Sequence, residues 1–153
     1  MPFRRFDWHQ HLTEVWGEHR STRVAVDRLR EAVAATPDLL KNDPIARERL
    51  RRAHENLEGT YIIRLFAAFE AALRSYTLAK HPNRRTNAAN MIDEIGGKHG
   101  HGIQMGIRER AHGVRQVRNY WAHESDESPG SMTIDEARAR LQAYLSELDD
   151  DWG

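Results

Sequence analysis

Apolar residues return along this chain at steps of three and four and nowhere alternate for long, so the elements it predicts are helices. Trp8, Leu12, Val15, His19, Thr22, Val26, Leu29 and Val33 mark one face of a long first helix that ends near Thr36-Pro37. Asp43-Pro44 supplies an N-cap followed by proline at the first helical position. From there Leu50, Ala53, Leu57, Tyr61, Leu65, Phe66, Phe69, Leu73 and Tyr76 carry a second long stripe toward His81-Pro82, with Gly59 as a candidate bend. A short helix is expected around Asn87 to Ile95, stopped by Gly96-Gly97, and GGKHGHG (96–102) reads as a loop. Ile103, Ile107, Ala111, Val114, Val117 and Trp121 define a fourth helix. After the polar loop ESDESPGSM, Thr133 and Glu136 form a capping box. Ile134, Ala137, Leu141, Leu145 and Leu148 complete a last amphipathic helix. The expected architecture is all-α, a bundle of four main helices plus a short one.

Two charged residues interrupt the apolar stripes. At 100° per residue, Arg118 lies about 40° from Val114, among Ile107, Ala111 and Trp121. Glu70 lies between Phe66 and Leu73 on the second helix, at spacings that turn it inward. A carboxylate and a guanidinium that both face the core of one small bundle need each other, because a desolvated charge is costly without a partner. Arg74, one turn on, competes for Glu70. The other side of the fourth helix carries Arg108, His112, Arg115, Asn119 and His123, either an ordinary solvated face or a ribbon for a polyanion.

The 153 residues amount to about one domain, taken here as 1–153. With 39% hydrophobic and 30% charged residues the chain is expected to fold as a globule. It has no cysteine, which excludes disulfides, thiolate metal sites and a Cys nucleophile, and suits a reducing cytoplasm. No stretch has the apolar length of a membrane span or a signal segment. The zero net charge hides an asymmetry. Residues 1–123 hold 21 Arg/Lys against 14 Asp/Glu, +7, and residues 124–153 hold 2 against 9, −7. Of the 23 basic residues 20 are Arg, a side chain suited to phosphate, although a GC-rich coding bias produces the same excess. The H-x-H pairs His9/His11 and His99/His101 raise metal chemistry as an alternative. On a helix, positions i and i+2 diverge, and the second pair lacks a clear third ligand. Neither a metal nor a cofactor is expected.

At Arg118-Asn119-Tyr120-Trp121-Ala122-His123 the chain resembles the HEPN domains, whose hallmark is Arg, four to six residues, then His, with a polar residue after the Arg. YIIRLFAAFEAALRSY (61–76) is similar to the family's second helix, where an FE pair precedes the motif helix. The resemblance implies a helical bundle that dimerises with its two motifs face to face. It also implies a metal-independent endoribonuclease, as in toxin–antitoxin pairs and phage defence, or else a non-catalytic module that acts beside an antitoxin or a nucleotidyltransferase-like protein. Carried over residue by residue, it assigns Arg118 and His123 to catalysis, Asn119 to the polar position and Glu70 to an acid that orients the motif. Arg108, His112, Arg115 and Tyr120 become the candidates for gripping RNA. The chemistry is coherent: His123 can exchange the 2′-OH proton near neutral pH, and Arg118 can neutralise charge on the phosphoryl oxygens. On one straight helix the two lie about 140° apart. Joint chemistry therefore calls for a second copy of the helix, and a homodimer is expected.

Overall fold

A computed structural model describes residues 4–95, 97, 102–123 and 130–153. Among these the chain forms five α-helices and no strand: α1 (Arg5–Ala35), α2 (Pro44–Lys80), α3 (Ala88–Ile95), α4 (Met105–His123) and α5 (Ile134–Leu145). A 3-10 turn, Pro37–Leu40, joins α1 to α2. Local chemistry sets the ends. Asp43 accepts a hydrogen bond from the Ala46 N–H at 2.8 Å, and Pro44 opens the helix where no donor is needed. Asn87 Oδ1 accepts from the Asn90 N–H at 2.9 Å to start α3. Thr133 and Glu136 form the reciprocal capping box of α5.

The four long helices close a ring in which α1 packs on α2, α2 on α4, α4 on α5 and α5 on α1, with α3 set against α2 and α4. Neighbours run antiparallel: Glu18 pairs with Arg64 and Asp27 with His54, while Asp135 of α5 meets Trp16 of α1. The core is aliphatic and aromatic, built on Leu12, Ile62, Leu65, Phe66, Phe69, Leu73, Leu141 and Tyr144. Tyr144 places its ring edge-on to Phe69 and donates its hydroxyl to the Ile92 carbonyl at 2.7 Å, which ties α3 to the core. Burial pushes the pKa of that hydroxyl up, so it stays a donor.

Three features depart from the sequence reading. Only the first half of the α1 stripe, Trp8 to His19, is buried, and Leu29 remains 45% exposed. No residue between 20 and 56 is buried. The second half of α1 and the first half of α2 thus form a two-helix arm of about 15 residues a side, ~22 Å long at 1.5 Å per residue. Second, Ile103 and Leu148 are buried from turns just outside α4 and α5 rather than from within them. Third, α2 runs as one helix through Gly59. The glycine is required there by a neighbour rather than by a bend, as described next.

Candidate functional site

Arg118 sits on the shoulder of the α4 core stripe, beside buried Ala111, Val114 and Val117. Its guanidinium carbon lies 5.7 Å from the centre of the Phe66 ring. One Nη is 4.0 Å from Glu70, and the other donates to Asn119 Oδ1 at 3.0 Å. Glu70 also takes Arg74 at 2.9 Å, so one carboxylate serves both guanidinium groups. The Arg118 and Glu70 side chains are 30% and 23% exposed. The group is therefore desolvated enough for charge to matter and open enough to reach a ligand. Arg118 Nε is shut from solvent and has no acceptor among the described residues. Glu70, Asn119 and Phe66 hold the guanidinium against the bundle, with one Nη on each polar partner.

His123 is the last residue of α4 and is exposed, with no hydrogen bond or ion pair to any described residue. One turn of α2 fixes where this helix end lies. The Trp121 ring lies directly on Gly59, and a methyl group at that position would fall inside the ring. This close approach explains a glycine in a helix interior, where it costs about 1 kcal/mol relative to alanine. Glu58, the adjacent residue, accepts from the Ile134 N–H at 2.7 Å at the head of α5. Consecutive residues of α2 thus hold both ends of the segment that follows the motif. Glu58 is itself braced from α1 by Arg23 at 2.8 Å and by buried His19 at 3.1 Å. His19 also lies edge-on to Tyr61, whose hydroxyl is 2.9 Å from Thr22 Oγ1. Sequence reasoning missed the positioning roles of Glu58 and Gly59. The available signal was a glycine beside a carboxylate in the middle of an otherwise strong helix.

The polar ribbon of α4 does not behave as a free face. Arg108, His112, Arg115 and Asn119 are half-buried. His112 Nε2 is 3.0 Å from Asp93 of α3, and Arg115 Nε donates to His112 Nδ1 at 3.4 Å. Arg108 Nε is buried without an acceptor among the described residues. The ribbon leans on α3 because α3 covers that side of α4. Tyr120 is half-buried and meets the Trp121 ring edge-on at 5.6 Å. Within one chain the structure brings together Arg118, Asn119 and Glu70, and separately His112 and Arg115. No hydrogen bond or ion pair joins His123 to either group among the described residues.

His9 and His11 point apart. His9 is partly buried near Arg5, while His11 is exposed, 3.7 Å from Glu14. His99 and His101 lie outside the described residues. Among the described residues no three His, Asp or Glu side chains converge as a metal site, and no helix is long and apolar enough to cross a membrane. Searches against protein-family models, curated proteins and solved structures found no match to this chain. The described residues form an all-α bundle with a seated arginine and an exposed histidine at the two ends of the segment 118–123.

Proposed function

We propose that the chain is a metal-independent endoribonuclease of the HEPN type, with a cleavage site composed from two copies of α4. The observation that carries this reading is the seating of Arg118. A lone guanidinium on a core stripe would be an expensive accident. Here it is flanked by a carboxylate, an amide oxygen and an aromatic face, and with 30% of the side chain exposed its Nη groups can exchange Asn119 and Glu70 for a phosphate. His123 ends α4 with an exposed imidazole that has no partner among the described residues, the state a proton-transfer group needs before substrate arrives.

The step runs on RNA's own chemistry. His123 takes the proton of the 2′-OH, the 2′-oxygen bonds to phosphorus, and the P–O5′ bond breaks. The products are a 2′,3′-cyclic phosphate and a 5′-OH end; the leaving 5′-oxygen takes its proton from water, and the His123 imidazolium returns its own to solvent. Arg118 offsets charge that builds on the phosphoryl oxygens. Asn119 keeps the guanidinium oriented, and Glu70 holds it in place. Arg118 and His123 diverge on one helix, so the working pair comes from facing protomers.

The test is purified protein incubated with total RNA and with tRNA in EDTA, alongside a DNA of the same sequence. RNA is cut to cyclic-phosphate ends and DNA is not. His123→Ala abolishes cutting and keeps RNA binding, whereas Arg118→Ala weakens both. Cutting that survives His123→Ala, or that needs a divalent ion, refutes the site. Intact RNA with the unaltered protein favours the other reading, a non-catalytic HEPN-like module acting with a protein partner.

A further inference from the structure

The α1–α2 arm carries a groove with no third helix in it among the described residues. Its floor is Val33, Ala34, Pro37 and Leu50, its rim is Arg30, Arg47, Arg51, His54 and Glu55, and its volume is about 510 Å³. At the other end of the same pair, α5 fills the space between α1 and α2. It begins at Glu58, which accepts from the Ile134 N–H, and at Trp16, which donates to Asp135 at 2.7 Å. From there it runs away from the arm toward Arg5, whose guanidinium donates to the Ser146 carbonyl at 2.8 Å.

Helical register links the two ends. Ala34 follows Trp16 by about five whole turns, and Arg47 precedes Glu58 by about three. The groove therefore lies on the faces of α1 and α2 that α5 covers further down, and it continues the α5 seat past the point where α5 starts.

We infer that this groove binds an amphipathic α-helix from a partner protein, one with acidic residues flanking its apolar stripe. The floor takes apolar side chains, as helix-in-groove recognition requires. The sign of the flanking charge follows from the rim: Glu48 and Glu55 balance Arg51, while Arg30 and Arg47 have no ion pair with any described residue. RNA suits the groove less well, because the floor is apolar and the Glu55 carboxylate stands on the rim. Arg30 has no ion pair with any described residue, which leaves it to meet the partner's carboxylate. The ~22 Å arm accommodates about four turns of helix.

The experiment uses the full chain and two synthetic helical peptides of about 16 residues with one leucine stripe, flanked by glutamates in one and by lysines in the other. Fluorescence anisotropy reads affinity, and hydrogen exchange reads the site. The glutamate peptide binds at least about tenfold more tightly than the lysine peptide, protecting amides in 24–35 and 45–54. Ala34→Glu blocks the floor, and Arg30→Glu with Arg47→Glu reverses the rim. Each lowers glutamate-peptide affinity about tenfold or more, with the circular dichroism spectrum unchanged. Equal binding of the two peptides, or protection elsewhere, overturns the inference. So does a single-stranded RNA oligonucleotide that protects the arm while the peptides do not. A fall in oligomeric state on Ala34→Glu, read by sedimentation, assigns the groove to a second copy and overturns it as well. Because none of these residues belongs to the α4 motif, RNA cleavage by the arm variants tests the two proposals apart.

Discussion

The α1–α2 pair holds two regions with similar sequence patterns and different fates. At the bundle end, Leu12, Val15, Leu57, Ile62 and Leu65 are buried, and each helix is covered by α5. On the arm the stripe continues through Val26, Leu29, Val33 and Leu50 with the same spacing, yet no position is buried. Two packed helices remove only one narrow strip of each from water. A third element is needed to close the core, and α5 stops at Glu58. Periodicity therefore predicts which face turns inward but not whether anything lies there to receive it.

The electrostatics follow the same division. On the arm, apart from Asp27 and His54, charges pair mainly within one helix: Glu48 is bracketed by Arg51 and Arg52, whose hydrogen bonds hold its carboxyl down at about 2. Such exposed pairs add little to stability. At the bundle end, charges pair between helices and shape the motif: Glu58 to α1 and α5, Glu70 to α4.

The largest difference between the regions is expected on truncating a leucine in each. Leu65→Ala should cost about 2–5 kcal/mol, because the deleted atoms leave a cavity in a filled core. Leu29→Ala should stay within about 0.5 kcal/mol, as at most exposed positions. Urea midpoints at fixed m-value decide it, and similar losses would mean the arm is covered in solution.

A smaller contrast separates two helical glycines. Gly59→Ala pushes a methyl into the Trp121 ring and should destabilise by about 1–3 kcal/mol, the usual range for overpacking. Gly17→Ala meets nothing within 4 Å and should stabilise by about 0.5–1 kcal/mol through helix propensity. If Gly59→Ala proves neutral in thermal melts, the Trp121 ring does not rest on α2.

The smallest effect concerns pH at the bundle end of α1. Burial first, and the Arg5 charge second, lower the His9 pKa below its ordinary 6.5. The unfolded chain thus holds that proton more tightly than the folded one. The stabilising contribution is complete above pH 6.5 and is lost as pH falls from there through the depressed folded value. His9→Gln removes that loss, so the variant's melting temperature relative to the parent should be higher at pH 5 than at pH 7.5. A difference that does not change with pH would show that His9 stays hydrated in the fold.

Helix number, order and most boundaries were legible in the sequence, because they depend on groups a few residues apart. Asp43 with Pro44, Thr133 with Glu136, and the proline breaks act through local hydrogen bonds and fixed dihedral angles that need no tertiary partner. The inward turn of Arg118 and Glu70 was legible for the same reason, since helical spacing alone places them on the stripes. Tertiary structure decided the rest. Gly59 reads as a bend until Trp121, far along the chain, is seen lying on it. The ribbon from Arg108 to Asn119 reads as a solvated face until α3 supplies Asp93 to His112. Half of the α1 stripe reads as core until α5 is found to end early. In each case the deciding contact joins elements brought together only when the ring of helices closes, and no local pattern encodes which residue a distant helix will present.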